Sequence, residues 1–493
     1  FKNDYEVEGF SAVTYKGNAV NGHYIGGTGF SPDLTWIKER SSTSNHQLHD
    51  TIRGAGTALY LPDTSADDFS ATTVQAFNSD GFTVGSHGAV NASGDTYVAW
   101  NWDMGADTPT GFGCVTYKGN DGTNSISGVG FQPDLIWTKG RDIAEHHCLF
   151  DAVRGHTVNL KPNLTDAQAA QSKLDRFDKD GFTLSTNSNE INDASSNYVA
   201  WCWDMGNSTA SNTDGTLTST VRANPTYGQS IVKYTGASGV SDATKVGHGL
   251  DSEPEMIIIR DYTNTQYWPV WHKDMHSDGG FDRKMYLNDN GGVSGTDQRR
   301  VTSVSSTTFG LPEGASSGGY SESNHIGEEH IAYCFHSVSG YSKIASFSGS
   351  GVSGNTITTG FRPAFLLVKQ TNASGENWYM FDSTREPLGE LDTALKADES
   401  NAEATSSTKK VEFTDTGFKL NSTNSALNAS GSTYLYYAVA GGMDSISDYN
   451  TDGSIDSRVK ANTTYGQSIV SYTGTGASSA TVAVSYTHLR AHE

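Results

Sequence analysis

Hydrophobic positions along this chain fall in short alternating runs separated by turns of Gly, Asn, Asp and Ser. In YVAWNWDMG from Tyr97, the residues Val98, Trp100 and Trp102 alternate with Ala99 and Asn101. That period of two sends neighbouring side chains to opposite faces of a strand. No run reaches 18 apolar residues, so no membrane-spanning helix is predicted. Helical vocabulary is confined to TDAQAAQSKLDRF from Thr165 and the stretch from Leu391 to Thr405, where a short surface helix or loop is expected.

The runs repeat. GFSPDLTWIK from Gly29 returns as GFQPDLIWTK from Gly130, GLDSEPEMIIIR from Gly249 and GFRPAFLLVK from Gly360. Each is a turn of Gly and Pro, an apolar run and a closing cation, the form of a strand entering a sheet. A first strand precedes each, from Val13, Val115, Val232 and Ile344. LHDTIRG from Leu48, LFDAVRG from Leu149, VWHKDMH from Val270 and MFDSTRE from Met380 follow it. Turn-led strands from Asn78, Asp178, Ser305 and Thr414 come next, and aromatic strands from Tyr97, Tyr198, His330 and Tyr434 close each unit. This fixed order defines four modules of about 100 residues, at 10–105, 111–206, 230–338 and 340–442. With roughly five to seven short strands in each, the prediction is all-β, a two-layer antiparallel sandwich per module.

A longer period lies above this one. TDGTLTSTVRANPTYGQSIVKYTG from Thr213 returns as TDGSIDSRVKANTTYGQSIVSYTG from Thr451, 238 residues later. It arranges the modules in pairs, with linkers expected at 207–229 and 443–467 and a truncated fifth module starting at 468–483. Residues 484–493 break the local composition and resemble a translated sequencing adapter, so the chain reads as a fragment open at both ends.

Composition agrees with strands and tight turns: 54 glycines, 11% aromatic residues and only 18% charged residues. The net charge of −22 argues against nucleic acid or an anionic membrane as partner. Cys114, Cys148, Cys202 and Cys334 form no CxxC pair and read as buried thiols rather than a zinc site or disulfide framework. Cys202 and Cys334 share a small-residue position with Asn101 and Ala438.

Candidate chemistry is sparse. Trp100, Trp102, Trp201 and Trp203 could stack on sugar rings, but their positions are filled interchangeably by Tyr333, Phe335, Tyr437 and Val439, which is the behaviour of a core. Asp50 with Arg53, Asp151 with Arg154 and Asp382 with Arg385 recur three residues apart. They are either a polar ligand clamp or an ion pair locking the strand exit, and the second is favoured because surface charge pairs are common. Module 3 lacks the pattern. Around Asp178, Asp180 and Gly181 an EF-hand register would begin on Arg176 and end on Asn187, so no cofactor is expected and no motif supports calcium. Glu390 and Asp392 are followed by Leu395 where a glycosidase of this type would need a third carboxylate. His272, Asp274 and His276 would make a metal site only on a helix, and the segment reads as strand and loop. No enzyme is predicted.

The phrases GFSPDLTWIK, FDAVRG, DGFTLST and NASGDTYVAWNW, with the paired TDG…VRANPTYGQSIVKYTG, resemble an uncharacterised repeat domain of structural proteins in marine tailed phages. The resemblance spans Phe10 to about Gly476 and carries no catalytic motif. It implies a virion protein of tail-fibre type, with jelly-roll or concanavalin A-like lectin sandwiches. The expected partners are then host-surface polysaccharide or other virion proteins, bound in the loops that differ between modules. Homo-oligomerisation is left open, since no heptad or glycine triplet argues for it. Two other readings stand beside this one: accessory carbohydrate-binding modules of a secreted bacterial enzyme or adhesin, and a purely architectural spacer.

Overall fold

A computed structural model describes residues 9–472 and 481, except 52, 62–66, 79, 104–110, 186–187, 276–279, 296–299, 373, 387–389, 415, 442–447, 451–456 and 463–466. The described chain is almost entirely antiparallel strand. Module 2 shows the plan. Its larger sheet has six strands in the order Phe112–Lys118, Asn197–Trp203, Leu135–Gly140, Cys148–Asp151, Gly155–Leu160 and Ala169–Ala170. A three-stranded sheet of Asn124–Ser127, Gly181–Leu184 and Leu174–Asp178 packs on one face of it. The first and last strands of the module lie side by side, Val115 opposite Ala200.

Alternation divides the large sheet between two interiors. Ile136, Cys148, Phe150, Ala200 and Cys202 turn towards the small sheet and meet Leu174, Phe182 and Leu184. Leu135, Trp137, Leu149, Trp201 and Trp203 turn the other way and are equally buried. All four cysteines are free and buried.

The turns explain recurring residues. In the DGF turns at Gly81 and Gly181 and the matching TGF turn at Gly417, a Cβ would lie 2.0, 2.1 and 2.0 Å from the carbonyl oxygens of Ile25, Ile126 and Ile357. Only glycine lets the two strands of the small sheet approach so closely. The preceding aspartate is tied as well: Asp180 accepts from the backbone N–H of Gly130 (2.6 Å) and Gly128 (3.2 Å), and Asp80 from Gly29 (2.7 Å).

Three expectations need correction. No helix forms from Thr165 or between Leu391 and Thr405; the described residues there are short strands and turns, because their backbone groups extend neighbouring sheets. Helix instead appears as single turns at Gly88–Asn91, Ser321–Asn324 and Ser425–Asn428. The segment 207–229 is not a free linker: Thr209–Asn212 and Ser219–Asn224 add two strands to the large sheet of module 3, and Asp448–Asn450, Ser457–Asn462 and Gln467–Tyr472 repeat that hairpin. The adapter-like residues 484–493 lie outside the described residues.

Grouping in space runs across the sequence pairs. Modules 2, 3 and 4 form one compact unit, residues 108–445, and module 1 belongs to another with residues 446–493.

Replacing Gly181 by alanine forces a Cβ against Ile126 at φ +142°. A loss of about 3 kcal/mol is expected. Chemical denaturation of Gly181→Ala checks it, and a loss below about 0.5 kcal/mol contradicts the close approach.

Candidate functional site

The second face of each large sheet is the most distinctive surface of the fold. In modules 2, 3 and 4 these faces meet in one continuous core: Leu135, Trp137, Trp201 and Trp203 from module 2, Met256, Ile258, Tyr333 and Phe335 from module 3, and Phe365, Leu367, Tyr437 and Val439 from module 4. Phe365 lies 5.6, 6.0 and 5.9 Å, centroid to centroid, from Phe112, Trp201 and Trp203. Trp201 and Trp203 are thus buried in a hub between modules and not in the sandwich of their own module. Trp100 and Trp102 in module 1 are only partly buried.

Polar contacts around the hub repeat cyclically. His147, Trp268 and Trp378 occupy the same place, four residues before Asp151, His272 and Asp382. His147 Nε2 donates to the Lys396 carbonyl (3.0 Å), Trp268 Nε1 to the Leu164 carbonyl (3.0 Å) and Trp378 Nε1 to the Tyr286 carbonyl (2.8 Å). Module 2 therefore reaches module 4, module 3 reaches module 2, and module 4 reaches module 3. Three backbone bonds close the same ring: Glu403 N–H to the Arg141 carbonyl (2.7 Å), Gln168 N–H to Tyr262 (2.9 Å) and Val293 N–H to Thr371 (2.8 Å). Head-to-tail contacts of this kind close when the rotation brings the last unit back to the first.

The Asp and Arg pairs lie inside this ring. Asp151 accepts from the Arg154 backbone N–H (2.8 Å) and from its Nε (2.6 Å), and Asp382 does the same for Arg385 (2.9 and 2.7 Å). They are turn locks, but buried ones rather than surface charges: Arg154 and Arg385 side chains are each 1% exposed. In module 1, Asp50 and Arg53 keep the geometry at 2.7 Å with more solvent. Asp151 also accepts from Tyr333 Oη of module 3 (2.8 Å), and Asp382 from Trp201 Nε1 of module 2 (3.0 Å). Module 3 has His272 at this position, and its Nδ1 accepts from the Asp274 backbone N–H (3.1 Å).

The closing cation of the GFxP phrase is also buried. Lys139, Arg260 and Lys369 end in backbone carbonyls: Lys139 on Gly140 (2.7 Å), Arg260 on Thr165 of module 2 (2.7 Å), and Lys369 on Asn290 of module 3 (3.2 Å). Burial lowers the two lysines to about 8 and Arg260 to about 10. Burial, with Lys139 nearby, lowers His147 to about 3. Its Nδ1 accepts from Trp137 Nε1 (2.8 Å), so the neutral ring carries its proton on Nε2. Burial likewise lowers His272 to about 4. The repeat alignment does mark the positions of His147, Trp268 and Trp378. A neutral ring N–H is all that His and Trp share there, and it is needed only once a second module supplies a carbonyl.

The remaining candidates are engaged locally. Asp178 accepts from Thr183 (2.5 Å) and Arg176 (2.7 Å), and Glu390 pairs with Lys410 at 2.6 Å. His276 lies outside the described residues, among which no group of three or more His, Cys, Asp or Glu could hold a metal. A space of about 30 Å³ in the hub is lined by apolar side chains of all three modules. What the arrangement does is fasten modules together.

Four related sandwiches, three of them joined through one apolar face, define a tandem β-sandwich repeat protein. The sequence profile of the family described as a domain of unknown function (DUF7483) matches residues 6–111, 107–442 and 444–489. The chain belongs to that family. No curated protein and no solved structure matches it.

Trp201→Ala is expected to cost about 3–5 kcal/mol by opening the hub, and Trp201→Phe about 1–2 kcal/mol by removing the N–H to Asp382. Urea unfolding measures both, and a loss under about 1 kcal/mol for the alanine variant contradicts the packing. The second test concerns His147. Its folded pKa lies below the unfolded value near 6.5, so between pH 6.5 and 3 the unfolded chain binds the extra proton and stability falls with acidity, by up to about 1.4 kcal/mol per pH unit. The deficit of His147→Gln against wild type should therefore shrink as pH drops from 6.5 to 4.5. A pH-independent deficit would show that the fold does not shift the titration of His147.

Proposed function

We propose that this chain is a structural protein of a phage virion, part of a tail fibre or surface appendage, whose β modules display loops for host-surface glycan or another virion protein. One observation carries the reading. In modules 2 to 4 the aromatic face best suited to stacking on sugars is used to join modules, which makes a large multi-module body and leaves recognition to outward loops. The repeat pattern, the acidic charge of −22 and the resemblance to phage structural repeats support the same conclusion. Weak contacts from several modules would add through effective concentration.

A second reading has its own support. Trp36, Trp100 and Trp102 of module 1 are partly exposed on one face, as a carbohydrate-binding module of a secreted enzyme or adhesin would require. A glycan array probed with the whole chain, with and without calcium, tests the recognition step. Retention of a surface polysaccharide that survives Trp100→Ala is expected for loop recognition, loss on that substitution moves the site to the aromatic face, and no retention at all removes the glycan from the proposal.

A further inference from the structure

Module 2 holds inside its own sandwich a set of polar side chains that two of its sister modules lack. Asn159, in the Gly155–Leu160 strand of the large sheet, is 1% exposed. Lys173, at the entry to the Leu174–Asp178 strand of the small sheet, is 6% exposed. Between them lies the buried Cys148 thiol, with Asn159 Nδ2 at 3.6 Å and Lys173 Nζ at 3.8 Å from its Sγ. One sulfur atom thus separates a lysine amine from a carboxamide. Lys173 Nζ also donates to Glu190 Oε2, which lies 3.7 Å from the same sulfur. The other oxygen of Glu190 pairs with Lys161 at 2.5 Å.

The fold does not require these groups. The positions of Asn159 and Glu190 are taken by Ala58 and Ala89 in module 1 and by Ala394 and Ala426 in module 4. Module 3 keeps the glutamate as Glu322 but pairs it with Arg300, whose guanidinium stays charged and is no nucleophile. In module 2 two ammonium groups share one carboxylate, so the cluster carries an excess positive charge. Burying such a charge is costly. Burial also pushes the Cys148 thiol up to about 12, so the sulfur is a neutral spacer and not a competing nucleophile.

We propose that Lys173 Nζ and Asn159 Cγ join in an intramolecular isopeptide bond that ties the large sheet of module 2 to its small sheet. Glu190 takes a proton from the Lys173 ammonium, and the freed amine attacks the carboxamide carbon. The carboxylate returns that proton to Nδ2, the Cγ–Nδ2 bond breaks and ammonia leaves with the second proton of the attacking nitrogen. An ammonium and a carboxamide become a secondary amide and an ammonium ion, with no oxidant or cofactor consumed. The excess charge leaves the sandwich with the ammonium ion, and Glu190 keeps Lys161 as its partner. Both reacting residues are held by their backbones: Asn159 pairs with Ala169, and the Lys173 carbonyl accepts from the Ser185 N–H at 3.0 Å. Groups held this way react as one molecule and not as two that must meet.

Intact mass spectrometry of the whole chain, denatured after incubation at neutral pH, tests the bond. A mass one ammonia below that of the sequence is expected. Trypsin should fail to cut after Lys173, and since Lys161 precedes Pro162 the stretch from Gly155 to Arg176 should emerge as one peptide with the same deficit. Asn159→Ala and Glu190→Ala, which install the residues of modules 1 and 4, should each give the full mass of their own sequence and normal cleavage after Lys173. If a variant fails to fold, the wild-type digest decides alone. Full mass in the wild type, or a deficit that persists in folded Glu190→Ala, would overturn the proposal. So would a deficit with cleavage after Lys173 intact, which would be ring closure of an asparagine onto its own backbone.

Discussion

A sheet that is apolar on both faces needs two covers, and the rest of this structure follows from that. One face of each large sheet is covered by the three- or four-stranded sheet of its own module. The other face, with Trp137, Trp201 and Trp203 in module 2, has no cover inside the module. Each such side chain left in water forfeits several kcal/mol at ~25 cal/mol per Å². The cover comes from sister modules, and the three faces of modules 2 to 4 supply it for one another.

Apolar burial alone would not fix how the modules meet, because it has no direction. Direction comes from polar groups that burial makes obligatory. A ring N–H at His147, Trp268 or Trp378 taken out of water must find an acceptor, and each finds it among the backbone carbonyls of one neighbouring module, His147 at both Lys396 and Glu399. Asp151 and Asp382 are held by their own arginines and still have capacity for Tyr333 and Trp201. Leaving any of these unpaired in the hub would cost more than forming it gains, so the arrangement excludes alternatives. The position is filled by His in one module and Trp in two others because the hub uses only the donor that both rings possess.

This division of labour bears on function. In modules 2 to 4 the aromatic face is spent on joining modules, and under the proposed function recognition would fall to loops whose sequences differ from module to module. In module 1 the same face is partly open to solvent.

The strands, their order and the four modules were present in the amino-acid sequence, because alternation and repetition are local properties; the aromatic strand expected to be core is buried in modules 2 to 4, while Trp100 and Trp102 of module 1 are only partly so. The Asp and Arg pairs were visible as a pattern, and their role as turn locks followed from three-residue spacing. Their burial did not, since a charge pair reads the same whether water or another module lies above it. The helices expected from Thr165 and Leu391 failed for a related reason: helical vocabulary was overridden by sheet edges that accept those backbones. Alternation told which residues share a face of the sheet, but both faces of these strands are apolar, and no local signal says which partner covers which. Only the tertiary structure decided that Trp201 belongs to a hub between modules, that 207–229 is sheet rather than linker, and that modules paired by sequence period are joined in space as three.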